Sequence, residues 1–265
     1  MAGDFAAATA VDPIGSGAWE ATIPTGWDIA GNANGGYLLA LAARALVRAT
    51  GRPDPVTVTG HYLSPGKPGP VRIATEIVKQ GRRFATATAT LSADGRPVLI
   101  TLGTLGDLSE STGPELVDGT PPELPPPDLC VPVESTGTFG PPFVSRVELR
   151  LHPDDAGFAT PEASQRPLMR GWFRLRHEEP LDTVALLCAI DAFPPTAFNA
   201  ALPVGWTPTV ELTAHVRGRP APGWLRCRFT THFVTRGFLE EDGEAWDADG
   251  RLVVQSRQLA LVPRG

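Results

Sequence analysis

Residues 56–101 read VTVTGHYLSPGKPGPVRIATEIVKQGRRFATATATLSADGRPVLIT, and residues 208–256 read PTVELTAHVRGRPAPGWLRCRFTTHFVTRGFLEEDGEAWDADGRLVVQS. The two stretches are weakly self-similar. Thr57-Val58 recurs as Thr209-Val210, and Ala93-Asp94-Gly95-Arg96 recurs as Ala248-Asp249-Gly250-Arg251. The spacings are 209 − 57 = 152 and 248 − 93 = 155, so a small insertion separates the anchors. Each stretch reads as four strands. Asp94-Gly95 and Asp249-Gly250 join the third strand to the fourth as tight hairpin turns.

A helical run precedes each set of strands. The first, NGGYLLALAARALVRAT, starts at Asn34 and spans Gly35–Thr50. Asn34 is placed to cap it and Gly51 to close it. Its few polar positions predict a helix buried on nearly every side. The second run covers residues 181–193, is equally apolar, and stops at Pro194-Pro195. Further strands are expected at Ala18–Ile23, 144–151 and Leu168–Leu175. Residues 108–142 hold Pro121-Pro122 and Pro125-Pro126-Pro127, the composition of an extended surface linker. The chain therefore divides into an N-terminal unit (1–107), a Pro-rich linker (108–142) and a C-terminal unit (143–265). Strands do not alternate with helices, which argues against a doubly wound parallel sheet. The expected class is α+β, with two antiparallel sheets each wrapped around a buried helix, the two units packing either by extending one sheet or by pairing two.

The 265 residues are 42% hydrophobic and 20% charged, a globular balance with material for a core. No apolar run reaches the roughly 20 residues that cross a bilayer. The net charge of −6 argues against a nucleic-acid scaffold. Met1 to Ala10 lacks the basic-then-apolar order of a secretory signal. Cys130, Cys188 and Cys227 stand apart from one another, as buried reduced thiols of a cytoplasmic protein do. The five histidines form no HxxxH or HExxH pair, so no metal site is expected. There is no GxSxG elbow, P-loop or GxGxxG fingerprint.

Two polar residues stand where apolar ones belong. Asp191 follows Val184, Leu187 and Cys188 at helical spacing, on the apolar stripe of a buried helix. A carboxylate there must be hydrogen-bonded or chemically employed, and desolvation makes it more basic. The alternative is a carboxylate that caps a loop near Pro194. Gln258 shares strand parity with Leu252, Val254, Ala260 and Val262. Its amide could orient a water or simply bond to backbone. Thr209 lies in parity with Thr207, Glu211 and Thr213, which reads as a solvated strand face. Asn34-Gly35-Gly36 presents N–H groups at a helix start, where an oxyanion could be held; an ordinary helix cap explains the same residues.

The order of these parts resembles the double hotdog fold of the acyl-CoA thioesterase II family. The resemblance rests on Asn34-Gly35-Gly36-Tyr37, Asp191, Thr209 and Gln258 and spans nearly the whole chain. It implies hydrolysis of an acyl-CoA substrate with no cofactor. Asp191, Thr209 and Gln258 would hold and activate a water, and N–H groups near Asn34, Gly35 and Gly36 would receive the oxyanion. Glu211-Leu212 stands where the family often carries Asp-His. An arginine cluster at Arg82-Arg83, or at Arg217, Arg219 and Arg236, would suit the phosphates of CoA. Three other readings stay open: an enoyl-CoA hydratase on the same fold, an acyl-ligand binding module without catalysis, and a structural partner in an oligomer. Sheet edges in such folds invite a homo-oligomer.

Overall fold

The structure, a computed structural model, describes residues 4–135, 140–158, 160, 163–200 and 202–263. The twelve longer strands are β1 (Asp12–Gly15), β2 (Ala18–Ile23), β3 (Asp54–Tyr62), β4 (Gly69–Gln80), β5 (Ala85–Ala93), β6 (Arg96–Gly106), β7 (Val147–Leu151), β8 (Leu168–Leu175), β9 (Thr209–Val216), β10 (Leu225–Thr230), β11 (Phe238–Trp246) and β12 (Leu252–Leu261). The helices are α1 (Asp4–Ala8), α2 (Gly35–Thr50) and α3 (Ala185–Ala189). Among the described residues no helix is long and apolar enough to cross a membrane.

Both units join in one antiparallel sheet, ordered β1-β2-β4-β5-β6-β3-β9-β12-β11-β10-β8-β7. The order is a palindrome about the β3–β9 contact. That contact satisfies the backbone edges that two separate sheets would leave open. Thr59 faces Thr213 across it, and their hydroxyls bond at 2.8 Å. The register pairs His61 with Glu211 and Thr57 with His215. A local two-fold between Thr59 and Thr213 therefore relates β3 to β9 by 213 − 59 = 154 residues. This corrects the repeat: the counterpart of Thr209 is Pro55, not Thr57.

Helix α2 follows the sequence closely. The Asn34 side chain accepts the N–H of Tyr37 at 2.8 Å, and Gly51, at φ 65°, sends its N–H to the Val47 carbonyl. Leu38, Leu39, Leu41 and Leu46 are at most 2% exposed. Burying each contributes about 1.5–3 kcal/mol. Helix α3 is shorter than the expected 181–193. Asp182 accepts the N–H of Ala185 at its start, and beyond Ala189 the N–H groups of Asp191 and Ala192 reach back only three residues, to Cys188 and Ala189. The reason is contact. A Cβ on Gly36 would lie 2.6 Å from the Leu187 carbonyl oxygen and 3.1 Å from that of Cys188, so the start of α2 presses on the end of α3.

Val144 lies in a 3-10 turn (Pro142–Ser145), and the strand begins at Val147. The linker is less passive than its composition suggests. Val131–Pro132 pairs with β7, and the Pro125 carbonyl accepts the indole N–H of Trp172 at 2.8 Å. Residues 136–139 of the linker lie outside the described residues.

Candidate active site

Asp191 leaves α3 at its C-terminal turn and meets the N-terminus of α2. Its Oδ2 accepts the Gly36 N–H at 2.7 Å and the Asn34 amide at 3.2 Å. The same amide donates to the Asp191 backbone carbonyl at 2.8 Å. Asn34 thus caps α2 with its oxygen and clamps Asp191 with its nitrogen. Burial pushes the Asp191 carboxyl up to about 6, against the opposing hydrogen bonds from Gly36, Asn34 and Gly35. A helix N-terminus stabilises the anion only in part, which leaves a base that is ionised near neutrality yet more basic than an exposed aspartate.

Thr209 and Gln258 reach the same place from the other side. Gln258 pairs with the fully buried Leu212 and is itself 9% exposed. Strict alternation would put Thr209 on the opposite face. Instead the register slips between Thr209, opposite Ala260, and Glu211, opposite Leu259. The extra residue is a β-bulge, and bulges re-aim side chains beside active sites. Thr209 thereby turns to the inner face, where its hydroxyl accepts from Gln258 Nε2 at 2.5 Å. The displaced parity of Thr209 is what strand alternation missed.

Asn34, Gly35, Asp191, Thr209 and Gln258 line one cavity of about 730 Å³. Its walls include Leu38, Phe143, Phe158, Phe193, Phe198 and Trp206. Two of the expected features are arranged differently from the expectation, and the departure at Leu212 is also located. The Gly36 N–H is directed at Asp191, so the Asn34-Gly35-Gly36 segment holds the carboxylate rather than an open oxyanion site. No arginine of the two clusters lines the cavity among the described residues; Arg219 pairs with Asp54 at 2.8 Å and Asp107 at 3.1 Å, and Arg217 bonds Gln255. Leu212, in the place of the family's His, points into the core.

Two further residues belong to the site. The Tyr62 hydroxyl donates to the Gly35 carbonyl at 2.8 Å, and burial, then the charges of Asp191 and Glu211, raise its pKa well above the usual value. Glu241 lines the cavity, is 8% exposed, and sits directly opposite Gln258 on β11. Parity with Leu239, counted from the hairpin, would have found it.

The local two-fold leaves one such site. Leu212 corresponds to Val58, so Gln258 corresponds to Gly103 on β6, which pairs with Val58. Gly103 pairs in turn with Ala87, the counterpart of Glu241. Pro55, Gly103 and Ala87 supply no side-chain donor or acceptor. At the start of α3, Arg44 of α2 forms an ion pair with Asp182 at 2.8 Å.

Residues 23–106 match the family model described as acyl-CoA thioesterase N-terminal domain, and residues 123–262 match that of the acyl-CoA thioesterase C-terminal domain. An uncharacterized protein of Mycobacterium tuberculosis is 33% identical over 266 residues, 92% of this chain and 91% of that protein. A solved structure from Thermobifida fusca, provisionally assigned as a thioesterase II, superposes with a TM-score of 0.90 at 32% identity, covering 99% of this chain and 98% of that one. An acyl-CoA thioesterase II of Mycobacterium marinum shares the fold, with a TM-score of 0.72 at 17% identity over 98% of each chain. A hot dog protein of Alicyclobacillus acidocaldarius shares it at 0.87 and 21% over the whole of both chains. With the C-terminal model spanning more than half its length and the N-terminal model most of the remainder, the chain belongs to the acyl-CoA thioesterase family.

Proposed function

We propose that the protein hydrolyses acyl-CoA to free acid and CoA, with Asp191 as general base on a water oriented by Thr209 and Gln258. One observation carries this reading. Three polar side chains from a helix end and two strands line one apolar-walled cavity, and burial pushes the carboxylate among them up to about 6. Asp191 takes a proton from the water as its oxygen attacks the thioester carbonyl. Thr209 and Gln258, already bonded to each other, offer the water a donor and an acceptor. The apolar walls receive the acyl chain and exclude bulk solvent. Asn34 and Gly36 position the base.

A double-hotdog hydratase would want a histidine beside its carboxylate, and no histidine lines the cavity among the described residues. Three buried free thiols support a reducing cytoplasmic setting. The exposed Ile100, Leu102 and Leu259 on the outer sheet face support a homo-oligomer.

The test is release of free thiol from short, medium, long and aromatic acyl-CoAs. Turnover of at least one class is expected; binding without thiol release in every class would instead establish a ligand-binding module. Within an active series, Thr209→Val is expected to lower kcat on the order of 10²-fold. It keeps the shape of the side chain and removes the hydroxyl, so the melting temperature should stay close to wild type. An unchanged kcat would take Thr209 out of the water site.

A further inference from the structure

We propose that Glu241 is the proton donor of the site and delivers its proton to the sulfur of the departing CoA. The inference rests on the thioesterase reading and adds a residue to it. Glu241 Oε2 accepts the Thr196 N–H at 2.8 Å. The Thr196 hydroxyl is bonded to Thr231, and Thr231 to the Glu240 carbonyl, so the segment holding Glu241 is itself anchored. Among the described residues no cation pairs with Glu241. The charges that act on it are Asp191, from the turn after α3, and Glu240, its neighbour on β11. Gln258 and Thr209, facing it from β12 and β9, are neutral; Arg257 on β12 is paired with Asp242. A buried carboxyl whose charged neighbours are negative holds its proton well above the usual carboxylate range, against the hydrogen bonds from the Thr196 backbone and side chain that favour the anion. The Thr196 N–H engages Oε2, and the Glu241 carboxyl lines the cavity beside Gln258. Burial first, and then those charges, push its pKa up to about 7. The fold does not require a carboxyl here, since Ala87 occupies the related position of the first unit.

The proton balance closes. Water attacks the carbonyl carbon, and one of its protons passes to Asp191. The tetrahedral intermediate collapses with its C–S bond broken, and sulfur takes the Glu241 proton as the thiol forms. Asp191 now holds a proton and Glu241 is ionised. Transfer of that proton from Asp191 to Glu241, the more basic of the two, restores both groups. No metal, oxidant or covalent acyl intermediate is involved.

Glu241→Gln keeps the volume and the acceptor for Thr196 and removes the acid. On acyl-CoA its kcat is expected to fall about 10²-fold. On the 4-nitrothiophenyl thioester of the same acyl group, whose thiolate departs without a proton, it should stay within about three-fold of wild type. Wild type should lose acyl-CoA turnover as pH rises above about 7 and show no such limb on the nitrothiophenyl ester, a comparison that needs no variant. Equal losses on both esters, equal limbs on both, or an unimpaired variant on acyl-CoA would overturn the proton-donor role. A wild-type protein inert toward every thioester would overturn the hydrolase reading itself, and the inference with it.

Discussion

Asp191→Asn is expected to lower acyl-CoA turnover by about 10²–10⁴-fold while raising thermal stability near pH 8. The amide keeps an acceptor for the Gly36 N–H but cannot take a proton. The stability gain follows from the carboxyl's surroundings. Burial raises the folded-state pKa from 3.8 to about 6, above its unfolded value. Protonated Asp191 therefore stabilises the fold fully below about pH 4, and that contribution is lost as pH climbs through 6. At pH 8 the wild type carries a desolvated anion that asparagine lacks, a difference on the order of 1–3 kcal/mol. The same pKa places an acid limb near pH 6 in wild-type turnover. Kinetics across pH 5–9 and calorimetric melting of both proteins check this. Normal activity in the variant would remove Asp191 from the reaction; an inactive variant that melts far lower would point to a structural role instead.

Gly36→Ala is the second large effect, and here both activity and stability are expected to fall. The new Cβ would lie 2.6 Å from the Leu187 carbonyl oxygen and 2.7 Å from Asp191 Cβ. The first contact is backbone and the second is a short side chain fixed at both ends by α2, so neither yields without moving α3. Overpacking of this kind costs about 1–3 kcal/mol, a drop of roughly 2–10 °C in melting temperature for a chain this size. Displacing Asp191 by even an ångström costs on the order of 10²-fold in rate. Gly218→Ala is the control, because a Cβ there meets nothing within 4 Å and its backbone is unstrained. Wild-type melting and turnover in Gly36→Ala would show that the two helices can separate, and with that the positioning argument fails.

Legibility of the sequence varied with the range of the forces involved. Helix α2 was readable to the residue because its caps, Asn34 and Gly51, act within one turn of the backbone. The hairpin at Asp94-Gly95 was readable for the same reason: both residues adopt positive φ, 50° and 74°. Helix α3 was over-extended because its apolar run records burial, while its end is set by the start of α2. Asp191 and Gln258 could be singled out as polar residues at apolar positions. Thr209 could not, because the bulge that turns it inward breaks the alternation used to read it. Glu241 stands among Glu240, Asp242 and Glu244, and its parity with the buried Leu239 and Ala245 is the one local signal that sets it apart.

What the sequence determined alone is the class of the molecule: two units of strand, buried helix and four strands, in a chain resembling acyl-CoA thioesterases. Hydrophobic periodicity, turn residues and caps are local codes, and they survive translation into structure. The tertiary structure alone decided that the strands form one sheet, that the Gly36 N–H serves Asp191, and that Glu241 shares its cavity. Those outcomes depend on which groups meet across long stretches of chain: the Gly36 N–H reaches Asp191 Oδ2 at 2.7 Å across 155 residues, and the Thr196 N–H reaches Glu241 Oε2 at 2.8 Å across 45. No pattern within a single strand or helix carries that information.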